Sequence, residues 1–147
     1  MNRTIVVIDG MGGGIGVQLI GRIRELDLPD TEILALGTNA VAVERMVKAG
    51  AHRGATGENA IRVTVFRGDF ILGPIGIVIP NSMMGEITPS VAEAVMAAPG
   101  ERILLPLQQD HFALVGLEPL PLAKMLEKAV TLLRERTLLK EGLGKDA

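Results

Sequence analysis

The sequence predicts an α/β fold in which helices cover both faces of a mainly parallel β-sheet of about five strands. Short aliphatic runs alternate with longer segments whose apolar residues recur at helical spacing, a pattern typical of βαβ units. The chain has 147 residues, of which 48% are hydrophobic, and this is enough for one core. Because no linker divides it, we expect one domain over residues 1–140 and a flexible tail over residues 141–147.

The N-terminal part contains two predicted strand–helix units. Residues 5–8 form a continuous apolar run, as expected for a strand that is buried on both faces, and residues 32–37 form a second one. The helix between them has apolar residues along one face and ends before Pro29. After the second strand, either Thr38 or Asn39 can cap the next helix through its side-chain oxygen.

The middle of the chain is less regular. Residues 54–60 are small and polar and are predicted to form a loop. Residues 61–66 alternate in hydrophobicity, which favours a strand, but a parallel sheet needs a crossover helix before the apolar run at residues 69–73. We therefore favour a helix at residues 61–66.

The C-terminal part predicts one more strand and two helices. Thr88 is suited to cap a helix whose first residue is Pro89, because the N–H group that proline lacks is not needed there. Residues 102–107 predict a strand, and residues 111–117 could return antiparallel to it at the sheet edge after a three-residue turn. A strong apolar stripe predicts a terminal helix near residues 120–137.

Composition excludes several classes of function. The net charge of −2 provides no general attraction to nucleic acid or to an anionic membrane. The chain has no Cys, which excludes disulfides, thiolate metal sites and a cysteine nucleophile. The longest apolar run, residues 70–80, is too short for a transmembrane helix and contains Gly and Pro. We expect a cytoplasmic protein without membrane or nucleic-acid partners.

The most informative segment is residues 5–16, IVVIDGMGGGIG, which has five glycines within residues 10–16. A tight strand-to-helix turn exposes backbone N–H groups that suit a phosphate, assisted by the helix dipole. In parallel sheets the ligand crevice lies beyond the carboxyl ends of the strands, so several strand ends should share one rim with this loop. The candidate site residues are Asp9, Gly10, Gly12, Gly13, Gly14, Ile15, Gly16, Gly37, Thr38, Asn39, Gly73 and Pro74.

Two familiar phosphate-binding patterns fail in this loop. The dinucleotide pattern G-x-G-x-x-G needs its third glycine at Ile15 when it starts at Gly10, and at Val17 when it starts at Gly12. The Walker pattern fails as well, because no Gly-Lys-Ser/Thr follows. The spacing Gly10-x-x-x-Gly14-x-Gly16 resembles the nucleotide loop of short-chain dehydrogenases. That resemblance implies NAD or NADP, with Gly14 beneath the pyrophosphate and Gly16 packing the helix on the sheet. The catalytic Tyr of those enzymes is missing, because the chain has no Tyr.

A wider resemblance is carried by the segments VVIDGMGGGIG, ALGTN, AGAHRGATGENA and GPIGIVIPNSMMGEITP. Together they resemble one family of small bacterial proteins that is classed as a domain of unknown function. The resemblance covers most of residues 5–106 and implies a shared fold and no established activity.

Several site residues have two interpretations. Asp9 could bind a metal or a ribose hydroxyl, although an Asp at a strand end more often accepts nearby N–H groups. Thr38 and Asn39 are most simply a helix cap, but they also stand where the adenosine ribose lies in dinucleotide folds. The Asp or Glu expected next to them to hold the ribose is absent. His52 and His111 have no spacing typical of zinc ligands and are interpreted as ordinary polar residues.

These observations predict a Rossmann-like three-layer sandwich that binds a nucleotide or dinucleotide phosphate at residues 10–16, with no assigned reaction. Two alternatives stay open. The protein could be an oligomeric sensor or interaction protein that binds a small phosphorylated metabolite, or a small enzyme that uses carboxylate, Thr and Asn groups at the rim. The apolar segment at residues 73–87, or the terminal helix, is expected to support a homo-oligomer, most simply a homodimer.

Overall fold

The computed structural model describes residues 2–107 and 112–146 of the chain. Five strands form one all-parallel sheet, and they are β1 (Arg3–Asp9), β2 (Thr31–Gly37), β3 (Arg53–Thr56), β4 (Phe70–Pro74) and β5 (Glu101–Leu105). Five α-helices accompany them, and they are α1 (Gly14–Glu25), α2 (Ala40–Lys48), α3 (Glu58–Thr64), α4 (Pro89–Ala97) and α5 (Leu122–Asp146). The predicted α/β sandwich is confirmed.

The sheet separates two hydrophobic cores, because successive residues of a strand point to opposite faces. Ile5 and Val7 of β1 pack with α1, α2 and α5 on one face, and Phe70 of β4 belongs to the same cluster. Val6 and Ile8 pack with α3 and α4 on the other face. The four residues 5–8 of β1 are fully buried, as the continuous apolar run predicted for a central strand.

The helix starts predicted from capping chemistry are confirmed. The Asn39 side-chain oxygen accepts the N–H of Ala42 at 2.9 Å, so Asn39 caps α2. The Thr88 hydroxyl oxygen accepts the N–H of Val91 at 3.2 Å, and Pro89 is the first residue of α4. These bonds satisfy amides that have no partner inside their own helix.

The order of strands in the sheet is β3-β2-β1-β4-β5. The chain moves outward from β1 to β3 and then returns to place β4 on the other side of β1. In parallel sheets a ligand crevice lies at such a reversal, beyond the carboxyl ends of the strands. Asp9, Gly37 and Pro74 end β1, β2 and β4 at this edge, which is called the rim below.

Three predictions about the elements need correction or completion. Strand β3 includes residues that were predicted to be loop, because it is an exposed edge strand without an apolar pattern. The ambiguous residues 61–66 are helical, as favoured, and lie in α3 and the short 3₁₀ helix Val65–Arg67 that follows it. The antiparallel strand is not formed by described residues 112–117, while the proposed turn and His111 lie outside the described residues.

The last helix of the chain is longer than the sequence predicted. Helix α5 continues through Asp146, beyond the predicted end near residue 137. No helix within the described residues combines the length and the apolar character that are needed to cross a membrane.

Substitutions on the two sides of α5 test how this helix packs. Leu133 is fully buried in the core beside the sheet, whereas Leu138 is exposed on the same helix. We expect Leu133→Ala to lower the free energy of unfolding by about 2–5 kcal/mol through lost burial and a cavity. Leu138→Ala should change it by less than about 0.5 kcal/mol. Urea denaturation measures both values, and equal losses would contradict this packing.

Candidate functional site

Asp9 is the centre of the rim, because its carboxylate joins the end of β1 to the start of α1. The side chain is buried, with 4% of the residue exposed. One carboxylate oxygen accepts the N–H of Gly10 at 2.8 Å, and the other accepts the N–H of Gly16 at 2.8 Å. Gly16 is the third residue of α1, so the carboxylate lies at the positive end of the helix dipole.

Burial raises the pKa of Asp9 above the usual range of an aspartate. Hydrogen bonds from the amides of Gly16, Gly10 and Ile15 act in the opposite direction, because they stabilise the charged form. The negative charge of Glu86 adds to the raised pKa. The desolvation cost is the largest of these effects, so Asp9 holds its proton more firmly than an exposed aspartate.

The inner part of the glycine loop is therefore occupied by the protein's own anion. The amide of Gly16 is a helix-start donor that a bound phosphate would use, and it donates to Asp9. The neighbouring amide of Ile15 also stabilises the charge of Asp9. A Cβ atom at Gly16 would lie 3.1 Å from the Cβ of Asp9 and would collide with the sulfur of Met46. The glycine at this position serves close packing of α1 on the sheet.

Gly13 is also required by close packing. It adopts a left-handed backbone conformation with φ of 74°, which favours glycine. A Cβ atom here would lie 2.9 Å from the Cα of Ala42. The glycine loop thus approaches α2 closely on this side.

The outer part of the loop is open to solvent. Gly12 and Gly14 are exposed, and within the described residues neither N–H has a protein acceptor. Apart from Gly14 itself, its two chain neighbours and the backbone of α1, no heavy atom of the described residues lies within 4 Å of the position of a Cβ at Gly14. The guanidinium of Arg45, on α2, donates to the carbonyl of Gly12 and brings a positive charge beside these amides.

Glu86 brings a second carboxylate to the rim. Its Oε1 atom accepts the hydroxyl of Thr38 at 2.5 Å, the side-chain amide of Asn39 at 2.9 Å and the N–H of Met11 at 3.0 Å. These hydrogen bonds, chiefly that from Thr38, lower the pKa of Glu86 below its usual range. The carboxylate therefore lies at the end of β2, next to the glycine loop.

No local sequence pattern indicated a role for Glu86. It stands 48 residues from Thr38 and 75 from Met11, in a segment whose local pattern predicted only an apolar, glycine-rich passage. A carboxylate was expected at the end of β2 in the nearby sequence and was absent there. The structure supplies it from the connection between β4 and α4.

That connection covers the rim in an unusual backbone conformation. Asn81, Met83 and Met84 have φ values of 66°, 57° and 56°, and Met11 opposite them has 48°. Left-handed conformations of non-glycine residues are uncommon, and those that do occur are concentrated at functional sites. The sulfur of Met83 lies 2.8 Å from the position of a Cβ at Gly10, so this connection contacts the glycine loop directly.

The remaining predicted rim residues have packing roles. A Cβ atom at Gly37 would lie 2.7 Å from a methyl carbon of Val43. A Cβ atom at Gly73 would collide with the carbonyl of Ile8, and both Gly73 and Pro74 are buried. These glycines allow neighbouring elements to approach each other at the rim.

Two polar residues outside the rim, His52 and Arg53, have structural partners. His52 accepts the N–H of Ile33 through Nδ1 at 3.0 Å, and Arg53 forms an ion pair with Glu32 at 2.7 Å. His111 lies outside the described residues. The part of the chain that the structure describes contains no group of three His, Cys, Asp or Glu residues that could hold a metal ion.

Comparison with known proteins agrees with the wider resemblance found in the sequence. The model of a family described as "Domain of unknown function (DUF3842)" matches residues 4–138. No curated protein and no solved structure matches the chain.

A pair of alanine substitutions tests the two parts of the loop. We expect Gly16→Ala to lower the free energy of unfolding by about 1–3 kcal/mol, because the new methyl group meets Asp9 and Met46. Gly14→Ala should leave it unchanged or raise it by up to about 1 kcal/mol, because that position is open and helical. Urea denaturation of both variants decides the matter, and a larger loss for Gly14→Ala would contradict the assigned packing.

Asp9→Asn replaces the ionisable carboxyl group with an amide and so tests whether the buried Asp9 has a raised pKa. A raised pKa means that the folded protein binds this proton more tightly than the unfolded chain does. The contribution of Asp9 to stability is therefore full below a pH of about 3.9 and decreases as the pH rises through the raised pKa. We expect the free energy of unfolding of wild type, minus that of Asp9→Asn, to decrease as the pH rises above about 4.

The control for this experiment is Asp27→Asn, at an exposed aspartate with a left-handed backbone that Asn accepts. Denaturation curves at several pH values provide the differences. An Asp9→Asn difference that stays constant or grows with rising pH would contradict a desolvated carboxylate at this position.

Proposed function

The chain belongs to the family described as a domain of unknown function (DUF3842), and from the geometry of its rim we propose that it binds a nucleotide. The observation that carries the proposal is the position of Glu86 at the end of β2, beside the open outer part of the glycine loop. A phosphate group and a ribose would then be held by different groups of the same rim.

The phosphate contacts are assigned to the outer loop. The exposed amides of Gly12 and Gly14 lie at the start of α1, where the helix dipole favours an anion. Arg45 stands beside them and supplies a guanidinium, which can bind a phosphate through the donors that the Gly12 carbonyl does not use. The open space at Gly14 lets a phosphate approach the backbone closely.

The ribose contact is assigned to Glu86. In dinucleotide folds a carboxylate near the end of the second strand accepts a hydrogen bond from a ribose hydroxyl. Oε1 of Glu86 is fixed by three donors, and within the described residues Oε2 accepts no hydrogen bond. The second oxygen is therefore suited to accept a hydroxyl of a ribose with an unmodified diol.

The same geometry favours one nucleotide over a whole dinucleotide. Met83 and Glu86 lie against Gly10, in the connection that follows β4. NAD would need this connection to move, and NADP would also bring its 2′-phosphate close to the Glu86 carboxylate. The proposed ligand is a mononucleotide, such as ADP or AMP, with free 2′ and 3′ hydroxyls.

Acid–base catalysis is a second candidate function, and one specific observation favours it. The pKa of Asp9 is raised and that of Glu86 is lowered, although both carboxylates belong to the same rim. A separation of this kind divides the roles of acid and base between paired carboxylates in enzymes, and it is the basis of this second candidate. The hydroxyl of Thr38 donates to Glu86 at 2.5 Å and so helps to keep this carboxylate charged.

Calorimetric titration with ADP tests the phosphate contacts. We expect Gly14→Val to weaken ADP binding at least about tenfold, or about 1.4 kcal/mol, because the side chain fills the space of the phosphate. Arg45→Gln should weaken it by a similar factor through the lost charge-assisted hydrogen bonds. Lys48→Gln, about one turn further along α2 and also exposed, is the matched control and should bind as wild type does.

The ribose contact is tested by comparing ADP with 2′-deoxy-ADP. Wild type should prefer ADP by about tenfold, and Glu86→Gln should lose most of that preference, because the accepting oxygen becomes a donor amide. Wild type that binds neither compound at millimolar concentration contradicts the proposal. Equal binding of ribose 5-phosphate would instead support a site for phosphorylated metabolites.

A further inference from the structure

Residues 112–119 form an arm in which every residue is exposed. Four of the fourteen large hydrophobic residues that are exposed in the described part of the chain lie in these eight positions. Exposed apolar residues concentrated in one segment indicate a binding surface, since apolar area in water is unfavourable. The four residues are Phe112, Leu114, Val115 and Leu117.

The arm forms one wall of an apolar hollow. The hollow has a volume of about 860 Å³ and lies between the arm, the end of β5 and helix α5. Among the strands of the described residues, β5 is at the edge of the sheet, with β4 as its neighbour. The hollow therefore lies at an uncovered corner of the domain. Its apolar lining includes Leu105, Phe112, Leu114, Leu117, Met125 and Leu132.

We propose that a second copy of this chain covers the arm and fills the hollow, so that the protein is a two-fold symmetric dimer. Val115 is fully exposed and does not line the hollow, so the arm has apolar surface on its outer side as well. A small molecule inside the hollow would leave Val115 in water. A protein surface that packs over the arm covers both sides.

The charges beside the hollow fit a copy of the same chain. Glu118 of the arm and Lys128 of α5 both line it, and neither has an ion-pair partner within the described residues. In a two-fold interface each contact occurs twice with the roles of the subunits exchanged. Glu118 would then face the partner's Lys128, while Lys128 faces the partner's Glu118, so both pairs are complementary.

This surface differs in part from the one predicted from the sequence. Part of the apolar character of residues 73–87 is buried inside one protomer, where Ile77 and Ile87 are fully buried, whereas Met84 is exposed. Those residues were expected to support an oligomer because a surface loop should be less apolar. The terminal helix, the other predicted region, contributes Met125 and Leu132 to the hollow.

Sedimentation velocity of the full chain across micromolar concentrations tests the proposal. Wild type should sediment as a dimer, and Val115→Lys should raise the dimer dissociation constant at least about tenfold by placing a charge in an apolar interface. Val115 is exposed in the protomer, so this change leaves the fold intact. Val63→Lys, at an exposed valine on α3, is the matched control and should remain dimeric.

A charge exchange tests the pairing. Glu118→Lys and Lys128→Glu should each weaken the dimer, and the double variant should restore it to within about threefold of wild type. Four results would overturn the proposal: a protomer mass for wild type, a Val115→Lys dimer as strong as the control, a double variant as weak as the single ones, or a monomer that carries an apolar small molecule in native mass spectrometry.

Discussion

The buried carboxylate of Asp9 connects the end of β1 to the start of α1, and the geometry of the rim depends on that connection. Taking a carboxylate out of water is costly, and hydrogen bonds from Gly10 and Gly16 together with the dipole of α1 offset much of that cost. The absence of a side chain at Gly16 leaves room for Asp9 and Met46 beside the start of α1. The glycines thus accommodate an anion that belongs to the chain, and the amides of Gly12 and Gly14 are left facing solvent.

Glu86 has the complementary role on the outer side of the same loop. Desolvation is the largest influence on the pKa of Asp9 and raises it. Glu86 is partly exposed, and its hydrogen bonds are the largest influence on its pKa and lower it. Three donors fix Glu86, and this anchors a connection in which Met83 and Met84 adopt left-handed conformations. The strain of those residues, of order 1–3 kcal/mol each, is offset by these contacts at the rim.

The fold could largely be predicted from the sequence, and the site only in part. Continuous apolar runs identify β1 and β2 because both faces of these strands are buried. Strand β3 was missed because an exposed edge strand carries no apolar pattern. The glycine loop and the capping role open to Asp9 follow from local sequence, since a strand end and a helix start are adjacent there. Glu86 could not be found this way, because its partners are brought to it only by the tertiary fold.

Nuclear magnetic resonance across a pH titration tests the role of Asp9 most directly. The carboxyl carbon of Asp9 and the amide nitrogen of Gly16 should shift together, with a common pKa above the roughly 3.9 of an exposed aspartate. The amide of Gly14, which has no acceptor within the described residues, should not follow that transition. An ordinary pKa for Asp9, with a Gly16 amide that does not respond to it, would contradict the carboxylate-closed loop.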